Sequence, residues 1–280
     1  LEMRFTNFES IEKLVDIAVN EDLSNGDPST EVSIDDSLVL DFELILKEPG
    51  VLAGIDVAEF VFKKVDQKIK FYSLIDDRYS EPGVFAKIHG PAKSILSAER
   101  TALNFMQRMS GVATSVYEYK KLISDLEVDI VDTRKTIPGW RILDKYSVLA
   151  GGGSNHRIDL GQMIMLKDNH LNSGDLNEIV KRSKHEYPEL KIEIEVENEF
   201  QLDEVLFLPV DRIMLDNWDP KKALEAVKKI RSKNKNIIIE ISGGINKETL
   251  RSYALCLPDI ISLGSITHSV NALDISLEVA

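Results

Sequence analysis

The chain has 280 residues, with 47 acidic against 34 basic side chains, a formal net charge of −13 and a single cysteine, Cys256. That length holds one large α/β barrel, or a barrel with a smaller companion domain. The negative charge argues against a nucleic-acid or anionic-membrane surface, and a lone cysteine excludes both an intramolecular disulfide and a multi-cysteine metal site.

Leu1 and Glu2 precede Met3 and read as a cloning remnant. No apolar run is long enough to span a bilayer and no basic-then-apolar leader opens the chain, so no membrane partner is expected. The apolar spacing Phe8, Ile11, Leu14, Val15, Ala18 predicts a helix over 8–20. The turn-rich run 21–30 predicts a loop. Alternation from Leu38 to Leu46 predicts a strand that ends in a Pro-Gly turn. "GIDVAEFVFKKV" reads as a helix, and "GVFAKIHGPAKSIL" as a strand region with a Gly-Pro break. A long helical pattern follows over 97–123, with an interruption expected near Gly111. Residues 1–110 thus read as an α+β domain.

From there the rhythm becomes regular. Six apolar runs, "VDIVDTR", "QMIMLKD", "LKIEIEVEN", "DRIMLDN", "NIIIEISGG" and "DIISLGS", are interleaved with helical stretches at 175–185, 199–206, 221–232 and 247–255. Strands that alternate with helices predict a parallel sheet covered on both faces. Six units over this length favour a closed or nearly closed barrel, here placed over 111–269. The tail 270–280 is expected to pack back on the first domain.

Nearly every run ends in polar or glycine-rich residues: Asp132-Thr133-Arg134, Lys167-Asp168, Glu195 with Glu197, Asp216-Asn217, Ser242-Gly243-Gly244, and Leu263-Gly264-Ser265. Active sites of such barrels lie at the carboxyl ends of the strands. The last two glycine groups suit a phosphate, because glycine lets backbone N–H groups come close to an anion. Basic residues are the minority, yet they crowd between Arg134 and His170, where Arg134, Lys135, His156, Arg157 and Lys167 are candidates for an anion pocket. Arg141 and Lys145 read as solvated or ion-paired helix residues. The triple glycine of "AGGGSNHR" reads as a close approach to a ligand or a mobile lid as readily as a plain loop.

Glu193, Glu195 and Glu197 alternate and therefore share a face. Inside a barrel they need cationic or metal partners. Glu195 and Asp216 suit ribose hydroxyls and Mg²⁺. The five histidines are too scattered to suggest a His-rich metal site. Cys256 reads as a small buried hydrophobe, and its thiol suits a reducing cytoplasm.

Taken together, "EDLSNGDPST", "SAERTALNFMQRMSGVAT", "DTRKTIPGWR", "GGGSNHRIDLGQMIMLKDNH", "IEIEVEN", "IMLDN", "ISGGI" and "LGSITHSV" closely resemble the quinolinate phosphoribosyltransferase family, over nearly the whole chain. Ile137 and Trp140 stand where Thr and Leu are commoner. The resemblance implies an α/β sandwich domain followed by an incomplete, TIM-like α/β barrel. It also implies a homodimer, or a hexamer built from dimers, in which Arg100 reaches the neighbour's site. The implied reaction joins quinolinate to phosphoribosyl pyrophosphate and yields nicotinate mononucleotide, pyrophosphate and CO₂. In that scheme Arg134, His156, Arg157, Lys167 and the neighbour's Arg100 hold quinolinate's carboxylates near Thr133. Lys135 meets phosphoribosyl pyrophosphate. Glu195 and Asp216 bind ribose, directly or through Mg²⁺. Ser242, Gly243, Gly244, Leu263, Gly264, Ser265 and His268 cradle the 5′-phosphate.

Three competing functions remain at this level: nicotinate phosphoribosyl transfer, an aldolase with Lys167 as Schiff-base lysine, and a phosphosugar sensor.

Overall fold

The structure is a computed structural model that describes residues 8–171 and 174–280; Leu1, Glu2 and the Phe8 side chain lie outside the described part. Its elements are, in order, α1 (Phe8–Leu23), α2 (Pro28–Ser33), β1 (Val39–Leu46), β2 (Gly50–Val51), α3 (Ile55–Val65), β3 (Lys70–Ser73), β4 (Tyr79–Ser80), β5 (Gly83–Pro91), α4 (Ala92–Leu122), β6 (Asp129–Val131), α5 (Arg141–Ala150), β7 (Ile164–Leu166), α6 (Asp168–Leu171), α7 (Leu176–Glu186), β8 (Ile192–Val196), α8 (Glu199–Val205), β9 (Arg212–Asp216), α9 (Pro220–Lys233), β10 (Ile238–Ser242), α10 (Lys247–Ala254), β11 (Ile260–Ser262), α11 (Ser265–His268) and β12 (Ile275–Val279). They form two compact units. One takes the chain up to Tyr117 with Thr136–Gly152 and Thr267–Ala280; the other takes Glu118–Lys135 and Gly153–Ile266.

The first unit is built on an antiparallel sheet of order β12-β1-β5-β3. Alternation sets its inner face: Phe42, Leu44 and Leu46 of β1 are buried. The C-terminal strand β12 completes this sheet, pairing Phe42 with Val279 through to Leu46 with Ile275. Ile11 and Val15 of α1 and Phe62 of α3 join the same core as Phe105 of α4. Each such side chain contributes ~1.5–3 kcal/mol on burial. Phe105 stacks on Trp140 with ring centroids 4.8 Å apart.

Four expectations change here. The run 21–30 is not all loop, because α1 extends to Leu23 and α2 begins at Pro28 behind its Asp27 cap. Helix α4 does not break at Gly111 but runs on to Leu122. A Cβ at Gly111 would lie 2.1 Å from the carbonyl oxygen of Asn271, so the glycine serves a backbone crossing the helix and not a helix end. Gly151 works in the same way: its Cβ would lie 2.3 Å from the Ala113 carbonyl, so protein backbone makes the close approach expected of a ligand. Lys145 is buried, which excludes the solvated one of its two readings, because α5 turns Leu143, Asp144, Lys145, Ser147 and Val148 inward together. Arg141 donates from Nε to Thr136 Oγ1 at 3.1 Å.

The second unit is a six-stranded, all-parallel sheet of order β6-β11-β10-β9-β8-β7. Strands β7 to β11 therefore follow one another around the sheet, and β6 adds beside β11. Among the described residues no pairing joins β7 to β6, which leaves the barrel open at that seam; beyond β6 there is one bridge, Val131 to Ser154. Ile192, Ile194 and Val196 of β8 share one face with their counterparts Ile213 and Leu215 of β9 and Ile239 and Ile241 of β10, all buried. Against that layer the helices place residues such as Leu202 and Val205 of α8 and Ala223, Val227 and Ile230 of α9. Each helix from α7 to α10 starts at an Asx cap: Asp175, Asn198, Asp219 and Asn246 accept N–H groups of the first turn.

Candidate active site

The opposite face of those strands carries the chemistry. Alternation turns Glu193 and Glu195 of β8, Arg212, Met214 and Asp216 of β9, and Glu240 and Ser242 of β10 to the inside. A cavity of about 350 Å³ opens there, lined by Thr133, Arg134, Lys135, His156, Arg157, Met165, Lys167, Glu195, Met214, Asp216, Glu240, Ser242 and Ser262. Four fixed cations and three carboxylates thus meet in one hollow of a strongly acidic chain.

On the cationic side, Lys167 directly follows β7 and pairs with Glu195 of β8, which is itself buried. Arg157 donates from Nη1 to the Met163 carbonyl at 2.9 Å, which holds its guanidinium in place. Burial, and then the like charge of Arg134, lower the Arg157 pKa from its usual value. Two guanidiniums that repel one another are relieved by an anion between them. Lys135 is held by its own backbone, whose N–H donates to Thr133 Oγ1 at 3.0 Å.

At the ends of β9 and β10 the backbone interlocks. Asn217 takes φ +60 and its N–H donates to the Ser242 carbonyl at 3.0 Å. Gly243 takes φ +99, and a Cβ there would sit 2.3 Å from Asn217 Oδ1. Only glycine fits such a turn, which presents backbone next to Asp216 and Ser242. Asp216 accepts from Asn217 Nδ2 at 2.6 Å.

Beneath the cavity lies a polar layer where barrels usually hold branched aliphatics. His156 is buried with Glu193 and Glu240; its Nε2 lies 3.1 Å from Glu193 Oε2 and 3.5 Å from Glu240 Oε2. Arg212 Nη1 donates to Glu240 Oε2 at 2.8 Å. Burial opposes the charged ring, but hydrogen bonds to Glu193 and Glu240 raise the His156 pKa to about 9. Burial and the Glu240 charge raise Glu193, whereas His156 and Arg212 overcome burial and hold Glu240 low. The Arg157 N–H donates to His156 Nδ1 at 2.9 Å, which opposes a proton on that nitrogen and so works against the raised pKa.

The cavity brings together nine residues expected from the sequence: Thr133, Arg134, Lys135, His156, Arg157, Lys167, Glu195, Asp216 and Ser242. Gly243 and Gly244 follow β10 directly, and Leu263 and Gly264 follow β11, but they are not part of the lining. Ser265 lies at the start of α11, with its Oγ 3.5 Å from Tyr119 Oη. Arg100 and His268 belong to the first unit. Arg100 is exposed on α4, 4.0 Å from Glu99, and His268 Nδ1 lies 2.6 Å from Ser269 Oγ. Met165, Met214, Glu240 and Ser262 were not expected. Glu240 had a legible signal, a lone acid within the apolar run "NIIIEIS".

Among the described residues, two clusters have the spacing of metal ligands. Glu195, Glu197 and Asp216 offer carboxylate oxygens within 4.8 Å of one another, as do the ligand atoms of His156, Glu193 and Glu240. The first is all oxygen and suits a hard cation such as Mg²⁺. In the second, Glu240 is already committed to Arg212.

These features define an α/β-barrel protein whose strand ends line a cavity with cations and carboxylates, a lining suited to a small, multiply charged anion. The family model for the quinolinate phosphoribosyl transferase C-terminal domain matches residues 112–278, and that for the N-terminal domain matches 27–110. A probable nicotinate-nucleotide pyrophosphorylase [carboxylating] of Bacillus subtilis is 38% identical over 98% of this chain and 94% of its own length. The nicotinate-nucleotide pyrophosphorylase [carboxylating] of Mycobacterium leprae is 34% identical over 97% of this chain and 98% of its own. The solved nicotinate-nucleotide pyrophosphorylase of Francisella tularensis superposes with a TM-score of 0.93 at 34% identity, covering 97% of this chain and 96% of that one. The chain belongs to the quinolinate phosphoribosyltransferase family.

Proposed function

We propose that the protein transfers the phosphoribosyl group of phosphoribosyl pyrophosphate to the ring nitrogen of quinolinate with loss of one carboxylate. The products are nicotinate mononucleotide, pyrophosphate and CO₂, a step of NAD biosynthesis. The observation that carries this reading is the meeting of Arg134, Arg157 and Lys167 with Glu195 and Asp216 in one cavity.

The two guanidiniums and the Lys167 ammonium bind the adjacent carboxylates of quinolinate, and Lys135 meets the pyrophosphate. Glu195 and Asp216 receive the ribose, with Glu197 beside them. As pyrophosphate departs, positive charge grows on the ribose, and fixed carboxylates stabilise it. Alignment of the ring nitrogen with the anomeric carbon lowers the barrier further. Once alkylated, that nitrogen is positive and stabilises the electron pair left on the adjacent carbon when CO₂ leaves. The turn at Ser242, Gly243 and Gly244, with Leu263, Gly264 and Ser265, receives the 5′-phosphate. Glu195, Glu197 and Asp216 would hold Mg²⁺, whose bound charge neutralises pyrophosphate.

Arg134, Arg157 and Lys167 together favour a dicarboxylate over nicotinate. Lys167 is engaged with Glu195, an arrangement that serves a held charge better than a free amine nucleophile. The exposure of Arg100 leaves it available to the site of a second copy in a homodimer or a hexamer of dimers. The single buried thiol suits a cytoplasmic enzyme. The test is turnover of quinolinate with phosphoribosyl pyrophosphate and Mg²⁺, with nicotinate in parallel. Reaction of quinolinate alone supports the proposal; reaction of nicotinate alone rejects the carboxylate pocket, and inactivity with both favours a binding protein.

A further inference from the structure

Glu193, Glu240 and Arg212, at the floor of the cavity, have no place in the scheme above, although this polar layer is built at a cost. Buried charges stabilise little unless every partner is present. Here the partners form a line. Arg212 Nη1 holds Glu240 Oε2 at 2.8 Å. The same oxygen lies 3.5 Å from His156 Nε2. The other ring nitrogen, Nδ1, accepts the N–H of Arg157 at 2.9 Å. At the far end, Arg157 Nη1 is fixed on the Met163 carbonyl. The His156 backbone is pinned as well, since its N–H donates to the buried Asp132 Oδ1 at 2.8 Å.

Both ring nitrogens of His156 are thus turned to protein groups, and the ring contributes a wall while its bonds run inward. We propose that Glu240 and Arg212 are positioning residues for the acid-binding side of the site, acting through the His156 ring on Arg157. Neither needs to touch substrate. Glu240 and Arg212 hold the ring at one edge, and the ring's other edge sets the backbone from which the Arg157 guanidinium projects. Displacement of a bidentate cation by as little as ~1 Å costs up to ~100-fold in rate. The inference rests on the proposed use of Arg157 for a substrate carboxylate.

The test compares Glu240→Gln, Arg212→Met and Arg212→Lys with the unaltered protein. The readouts are KM for quinolinate, KM for phosphoribosyl pyrophosphate, kcat, and calorimetric affinity for benzene-1,2-dicarboxylate. That probe has the same adjacent carboxylates without the reacting nitrogen, so it reports the pocket even if quinolinate is not turned over. Glu240→Gln and Arg212→Met are expected to weaken the probe and raise KM for quinolinate about tenfold, with KM for phosphoribosyl pyrophosphate within about twofold. Arg212→Lys, which keeps the charge, is expected to recover most of the loss. Folded variants with unchanged probe affinity overturn the inference, and so does a parallel rise in both KM values. If Glu240→Gln does not fold, the Arg212→Met and Arg212→Lys pair decides by the same readouts. Failure of the unaltered protein to turn over quinolinate while it binds the probe would reject the proposed reaction and leave the inference to the probe.

Discussion

Replacement of Gly111 by alanine separates two views of helix α4. Helix propensity alone favours alanine over an interior glycine by ~1 kcal/mol. The structure predicts the opposite sign. The added Cβ would stand 2.1 Å from the Asn271 carbonyl oxygen, well inside any real contact. The obstacle is backbone, just ahead of β12, whose pairing with β1 from Ile275 onward limits how far it can withdraw. Overpacking of this kind costs ~1–3 kcal/mol. A blocking carbonyl that cannot rotate aside belongs at the upper end, so the net effect is a loss of about 2 kcal/mol. Urea unfolding of the Gly111→Ala variant, read by circular dichroism, measures it. A midpoint that rises as propensity alone requires would refute the reasoning.

Other consequences follow from the site. Gly243→Ala must place a side chain at φ +99 against Asn217, so affinity for phosphoribosyl pyrophosphate should fall at least tenfold, a loss of ~1.4 kcal/mol or more; unchanged affinity would remove the turn from the phosphate site. Lys167→Met leaves Glu195 buried without its cation, and kcat/KM for quinolinate should drop by ~100-fold or more; borohydride treatment with substrate should trap no adduct on Lys167, and a trapped adduct would revive the Schiff-base reading.

The sequence made the second unit easy to read and the first one hard. Apolar runs such as "NIIIEIS" and "DRIMLD" are buried on both faces, so their strand signal is dense, and β8, β9 and β10 are each followed by an Asx-capped helix. The short strand β3 lies mostly exposed over Lys70–Ser73 and carries no such contrast. Gly111 was misread because glycine marks both a break and a crossing of backbones, and only the position of Asn271 tells them apart. The site was legible where a charge sits at a strand end, as at Lys167 and Asp216. It was not legible at Arg212, whose partner Glu240 comes from another strand and showed only as a lone acid within an apolar run. Trp140 departs from the residue commoner at its place, and the structure gives it a partner in Phe105.

The central claim is tested most directly by incubating the protein with phosphoribosyl pyrophosphate, Mg²⁺ and quinolinate labelled in the carboxylate next to the ring nitrogen. The account predicts labelled CO₂ and nicotinate mononucleotide in equal amounts, with no label left in the nucleotide. A nucleotide that retains both carboxylates, or CO₂ released without nucleotide, would contradict it.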